Sequence, residues 1–218
     1  GPSGSGKSTL SAMLGAVLEA EGWRVMLLHG DSHFLGPKPE SYWTQENKDH
    51  PGAIDLASIR EELRAAREGA LAAQRTLVII EGFMLLQDAA IVELVDAVLF
   101  LHCAQEASLA RRLGRSVRTA HENDGLVHYY HTCVWPGYLQ YTVPALERLR
   151  QQANLLGGSS RGPQLRELDG AAPIEDVCAA AFSVLPELLP ELAAASAAAL
   201  DAGGLAAACA QGLARASA

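Results

Sequence analysis

The chain has 218 residues, enough for one sizeable core with a tail and cramped for two full domains. Its 17 basic and 25 acidic residues give a formal charge of -8, which argues against a nucleic-acid backbone or an anionic membrane as partner and for small molecules. The 4 cysteines include no CxxC pair, so neither a disulfide framework nor a zinc ribbon is suggested, and reduced thiols of a cytoplasmic protein are the expectation.

The sequence opens on GPSGSGKSTL, in which Gly1, Gly6, Lys7 and Ser8 satisfy G-x-x-x-x-G-K-[ST] and Gly4 and Thr9 reinforce the match. In such a loop consecutive backbone N–H groups turn around a β-phosphate, and the helix beginning near Lys7 aims its positive end at the same anion. Lys7 would reach the β/γ oxygens, and the Ser8 hydroxyl would ligate Mg²⁺. A flexible Gly/Ser linker explains neither the lysine nor the amphipathic helix after it. In that helix Leu10, Met13, Leu14, Val17 and Leu18 recur at helical spacing, and Gly22 supplies a stop. Loops of this kind follow a buried strand, whereas here the loop opens the chain and no initiator Met precedes it. The expectation is therefore a chain lacking an upstream strand of roughly five to eight residues. Neither a basic-then-apolar leader nor an apolar run of about 18 residues is present, so no signal peptide or spanning helix is expected.

Three short apolar runs, RVMLL (24–28), TLVII (76–80) and AVLFL (97–101), read as buried parallel strands. Helical composition over 55–74, and again between the third run and Arg118, gives the alternation of an α/β sheet. QLREL (164–168) is a weaker fourth strand, and the APIEDVCAAAFSVLPELL segment is a closing helix with Pro173 near its first turn. Ser32 to Ile54 and Thr119 to Pro136 read as long irregular loops, where lids and binding segments are expected. Beyond Pro190 the composition collapses to Ala, so the division is a domain over 1–190 and a non-catalytic, low-complexity tail over 191–218.

Asp31, in HGDSHF, ends the first run at the carboxyl edge of the sheet, where open α/β folds collect ligands. It either accepts the proton of an attacking hydroxyl or bonds its own backbone in a turn. Glu81 ends an otherwise apolar strand, where burial demands a partner: Mg²⁺ through water, a substrate hydroxyl or a salt bridge. Asp55 is an N-cap or a substrate contact. Arg111, Arg112, Arg115 and Arg118 carry no acid among them, and Arg111, Arg115 and Arg118 share a helical face, which suits a lid over polyphosphate as well as a solvated face. Tyr129, Tyr130 and Trp135, with Tyr42 and Trp43, supply either flat surface for a ring or core packing. His128, His131 and Cys133 lack the second cluster that a zinc site requires.

Taken together, GPSGSGKST, GDSHF, DHPGAID, IIEGFMLL, ARRLGR, VWPGYLQY and LDG resemble the uridine kinase-like P-loop kinases, and within them most of all the nicotinamide riboside kinases, over roughly residues 1–188. The resemblance implies a three-layer α/β fold with a parallel sheet, whose central first strand would be the missing one. It implies Mg·ATP-dependent phosphorylation of a ribonucleoside 5′-hydroxyl, giving nicotinamide mononucleotide from nicotinamide riboside if the subgroup holds. DHPGAID is reminiscent of uridine kinases, which keeps uridine and cytidine as alternative acceptors; a truncated, non-catalytic nucleotide-binding paralogue is the alternative of another class. By the same resemblance Asp31 and Lys7 would be catalytic, Ser8 and Asp31 would approach Mg²⁺, and Asp31, Ile54, Asp55, Glu81 and Arg112 would meet the nucleoside. ATP would be held by Gly1, Pro2, Ser3, Gly4, Ser5, Gly6, Lys7, Ser8, Thr9, Arg111 and Arg115, with Asp169, Gly170 and Ala171 beside the adenine. Some family members carry aromatic residues where this chain has Ile54 and Val117, so ring stacking in the base pocket is expected to be weaker.

Overall fold

The computed structural model describes residues 1–36, 47–156 and 162–193, together with Ala197. The apolar runs become strands one residue longer than their sequence signal: β1 (Arg24–His29), β2 (Thr76–Glu81), β3 (Ala97–His102) and the weaker β4 (Gln164–Asp169). β1 pairs with β2 and β3 with β4, both in parallel. Parallel pairing requires crossover helices. The helices flanking the strands are α1 (Lys7–Ala20) before β1, α2 (Leu56–Leu71) and α3 (Ala89–Glu93) around β2, α4 (Gln105–Leu113) after β3, and α8 (Ile174–Leu188) after β4, with α2 the crossover from β1 to β2.

One core cluster joins Leu10, Met13, Leu14 and Leu18 of α1 to Val177, Phe182 and Leu185 of α8. A second, on the α2 side, gathers Ile54, Ile59, Leu63, Met84 and Ile91. The layers are thus held by apolar faces on either side of the strands, the expected arrangement for parallel pairs.

β2 and β3 are not paired with each other. A largely apolar slot of about 350 Å³ lies between them, lined by both strands, by Leu10, Leu14 and Leu18, and by Gly1 and Lys7 at one end. Leu77, Val78, Ile79 and Ile80 consequently remain half-buried, although their composition is that of a central strand.

The irregular loop expected over Thr119–Pro136 is instead helical. Thr119 and Glu122 form a reciprocal capping box that starts α5 (Ala120–Tyr129). Leu126, Tyr129, Tyr130 and Val134 then bury one face, and their spacing carries the helix on. It continues through a π-turn at Tyr130–Val134, α6 (Trp135–Gly137), a second π-turn at Tyr138–Thr142 and α7 (Val143–Leu156). Such turns are rare and concentrate near functional sites. Of the other long loop, the described flanks close on each other through a bridge between Phe34 and Ile54, while Tyr42 and Trp43 lie outside the described residues. The Ala-rich tail over 191–218 lies almost entirely outside them as well.

Glu167 of β4 accepts from Arg150 of α7, Nε to Oε1 at 2.7 Å, and from His102. Arg150 is the main reason that its pKa falls to about 2, with burial opposing and His102 assisting. A carboxylate depressed in the fold contributes stability that is complete above its unfolded pKa of about 4.3 and is lost as pH falls through the folded value. Glu167→Gln is therefore expected to cost about 1 kcal/mol at neutral pH, the linkage value discounted for the pair's partial exposure. In chemical denaturation the gap to wild type should narrow between about pH 4.5 and 2; a gap independent of pH would count against the pair.

Candidate active site

The opening loop is built for an anion. Gly4 and Gly6 take positive φ values of 81° and 92°, conformations that side chains rarely adopt and that turn the intervening amides inward. Gly6 is also the N-cap of α1, so the positive end of that 14-residue helix points at the loop. The Lys7 ammonium bends back to donate to the Pro2 carbonyl at 2.8 Å. Burial pulls its pKa down to about 8, Glu81 and Asp31 oppose the fall, and Arg115 and Arg112 add to it.

Asp31, Glu81 and the Arg112–Arg115 pair, from three separate parts of the sequence, thus lie near enough to Lys7 to act on its charge. Asp31 is exposed in the 3-10 turn Gly30–His33 that follows β1. Glu81, at the end of β2, is 8% exposed. The partner its burial demands is His29, whose Nδ1 lies 3.0 Å from Glu81 Oε1, linking the carboxyl ends of adjacent strands. Asp55 caps α2, accepting the Ser58 amide at 2.9 Å through Oδ1. Ile54 is buried and packs in the α2-side core cluster. Val117 is fully exposed.

The arginines separate by role. Arg111 donates to the carbonyls of Gly170, Ala171 and Gly4 and so ties the loop to the turn after β4, where Asp169 Oδ1 accepts the Ala171 amide. Arg112 donates to the Ser3 hydroxyl, and its Nε is buried without a partner among the described residues. Desolvation and Arg112 lower the pKa of Arg115, with Asp31 opposing. Arg118 turns back onto the carbonyls of Arg112, Leu113 and Ser116, closing the end of α4.

The residues present suit a nucleotide with its metal. Ser5 Oγ, like Arg112 Nε, is buried with no partner among the described residues, leaving donors beside a ring of inward amides. The exposed Ser8 hydroxyl and the carboxylates of Asp31 and Glu81 are hard oxygen donors of the kind Mg²⁺ takes alongside water and phosphate.

Two residues of this region take their surroundings from long-range contacts: Asp49, which no local pattern singles out, and Tyr130, for which the structure selects core packing over a ring surface. Asp49 lies within DHPGAID, but its partner, the Tyr129 hydroxyl, is 80 residues away, and no local spacing connects them. Tyr130 is fully buried and donates to Ser108 Oγ at 2.8 Å, so it belongs to the core and offers no face to a ring.

A phosphate loop at a helix N-terminus, set against carboxylates at the carboxyl ends of parallel strands, is the arrangement of a P-loop nucleotide site, and phosphotransferases are among the proteins built on it. Similarity to known proteins points the same way. The chain is 27% identical over 181 residues to the uridine kinase of Leuconostoc citreum, covering 72% of this chain and 83% of that one. It is 26% identical over 188 residues to the uridine kinase of Tolumonas auensis, covering 74% and 86%. It is 29% identical over 164 residues to uridine-cytidine kinase A of Dictyostelium discoideum, covering 66% of this chain and 32% of that longer protein. No protein-family model matches the chain. These similarities support a uridine kinase-like P-loop kinase.

Proposed function

We propose that the protein is an Mg·ATP-dependent kinase of a ribonucleoside 5′-hydroxyl, with uridine and cytidine as its acceptors. The observation that carries the reading is the phosphate loop itself: Gly4 and Gly6 at positive φ, the N-terminus of α1 capped at Gly6, and the Lys7 ammonium, on whose charge Glu81 and Asp31 act. Phosphoryl transfer needs little covalent chemistry from a protein and much positioning and charge neutralisation. Lys7, Arg112 and Arg115 neutralise the transferring group, and the loop amides hold the phosphates behind it. Asp31 orients the acceptor hydroxyl and takes its proton, and Glu81, steadied by His29, holds the ribose side with Asp55. Ser8 and Asp31 would hold Mg²⁺, which would supply further neutralisation of the phosphate oxygens.

Relatives named for uridine and cytidine support these acceptors over nicotinamide riboside. The side chains support them as well. Ile54 is buried in the core and Val117 points into solvent, so neither position supplies an aromatic face for a pyridine ring. Steady-state rates with uridine, cytidine and nicotinamide riboside, each with Mg·ATP, test the reading. A pyrimidine nucleoside is expected to give the highest kcat/KM; preference for nicotinamide riboside would overturn the acceptor, and no turnover of any would overturn the kinase.

We propose as well that the slot between β2 and β3 holds a fifth, central strand running into Gly1. A strand entering parallel to its neighbours would end at the phosphate loop, because Gly1 lines the slot at the carboxyl end of β3. Each apolar side chain it buried would contribute about 1.5–3 kcal/mol. Extending the chain before Gly1 by a Val/Ile-rich strand of about six residues is expected to raise Tm by more than about 10 °C. An unchanged Tm would leave the slot without this occupant.

A further inference from the structure

α4 packs directly against the phosphate loop, and one hydroxyl makes the joint. Ser108 is fully buried, and its Oγ donates to the Ser3 carbonyl. Its own carbonyl lies so close to Gly4 that a Cβ there would come within 2.7 Å of the oxygen, so the positive-φ bend of the loop rests on the Ser108 turn of α4. Arg111 and Arg112, one turn farther along, hold the same two loop residues, donating to the Gly4 carbonyl and the Ser3 hydroxyl. Positions 108, 111 and 112 have the i, i+3, i+4 spacing of one helical face.

Ser108 is itself held from behind. Tyr130, fully buried at the start of the first π-turn, donates to Ser108 Oγ at 2.8 Å and lies 3.0 Å from the Gln105 carbonyl. Burial raises the pKa of the phenol, which therefore keeps its proton at neutral pH. A hydroxyl has one proton and two lone pairs, so the chain has one direction: Tyr130 donates to Ser108, and Ser108 donates to Ser3. Trp135 stacks on the Tyr130 ring with centroids 6.2 Å apart and keeps the phenol aimed.

We propose that Ser108 is a positioning residue for the nucleotide: oriented by Tyr130, it latches the Ser3–Gly4 bend of the phosphate loop to α4 and so presets the loop amides for polyphosphate. The proposal rests on the reading of residues 1–9 as the nucleotide site of a kinase. Without the latch the binding-competent bend is populated only part of the time, and the apparent affinity for nucleotide falls by that fraction.

Ser108→Ala removes the donor to Ser3 with little change of volume and leaves Tyr130 the Gln105 carbonyl. It is expected to raise Kd and KM for Mg·ATP about five- to tenfold, the scale of one buried hydrogen bond, with KM for uridine within about twofold of wild type. Tyr130→Phe keeps the buried ring and leaves the Ser108 bond to Ser3 in place. Its expected effect on Kd for Mg·ATP is smaller, about two- to threefold, and should vanish in the Ser108→Ala background because it acts through Ser108.

Unchanged affinity for Mg·ATP in Ser108→Ala, whatever its Tm, would make the hydroxyl structural and overturn the proposal, and so would an equal rise in KM for uridine. Effects that multiply in the double variant would overturn it as well, since Tyr130 would then act by another route. If the wild type binds Mg·ATP and phosphorylates no nucleoside, the kinase reading has failed, and the latch is judged by isothermal titration of the three variants alone. No heat with Mg·ATP from the wild type would overturn both.

Discussion

Asp31→Ala is expected to lower kcat for nucleoside phosphorylation by about 10²–10⁴-fold, the usual worth of a positioned general base. Asp31 is exposed, in a short 3-10 turn just past β1, and contributes little to the packed core. Its loss should therefore leave the fold and the amide cradle of Gly4 and Gly6 as they are. Binding of Mg·ATP, measured by isothermal titration, is expected to weaken by less than about tenfold, because the loop amides and Lys7 supply most of the grip on phosphate. The two readouts must separate: turnover falls and nucleotide heat persists. Full turnover in the variant would remove Asp31 from the reaction, and loss of both would make it a nucleotide ligand first.

Lys7→Met is expected to behave in the opposite way, with kcat/KM for ATP falling by about 10²–10³-fold, the scale seen when a single preorganised donor to a developing anion is removed. The stability of the nucleotide-free protein should not fall with it. Burial makes the Lys7 ammonium costly in the empty fold, and the downward displacement of its pKa to about 8 records that cost. An apolar side chain of similar length relieves it. Near pH 7 the variant should melt at or above the wild-type Tm without nucleotide and lose the stabilisation that Mg·ATP gives the wild type. A variant that melts well below wild type would mean that the bond from Lys7 Nζ to the Pro2 carbonyl holds the loop together and that the side chain is structural.

Much of this site is written in local patterns. Strands of Val, Ile and Leu with no helical period stand out as RVMLL, TLVII and AVLFL, and the structure extends each by one residue. The phosphate loop is legible because its chemistry is local: glycines, a lysine and a hydroxyl within one turn of chain. The helix over 120–129 was hidden by the polar, aromatic-rich run HENDGLVHYYHTC, although Thr119 and Glu122 held its start signal. Contacts that span the chain were not legible at all. Arg111 carries the composition of a lid residue, and only the folded chain reveals it bonded to the carbonyls of Gly170 and Ala171. Asp49 and Tyr129 likewise have no shared pattern, since their meeting depends on where α5 crosses the loop. The choice of base belongs to the same category: pocket shape is a long-range property, and the aromatic count suggested little about it.

The strands run in one direction within each described pair, and Asp31, Glu81, Cys103 and Asp169 each sit at or just past the finishing end of a strand, the end at which Gly1 meets the Leu101 carbonyl. The opposite ends, where Gly22, Arg75 and Asp96 lead into β1, β2 and β3, bear none of the reacting groups. Inserted peptides, affinity handles or fluorescent reporters grafted there would leave the chemistry untouched. Lineages of this architecture would likewise have room on that side to acquire new attachments without relearning how to transfer phosphate.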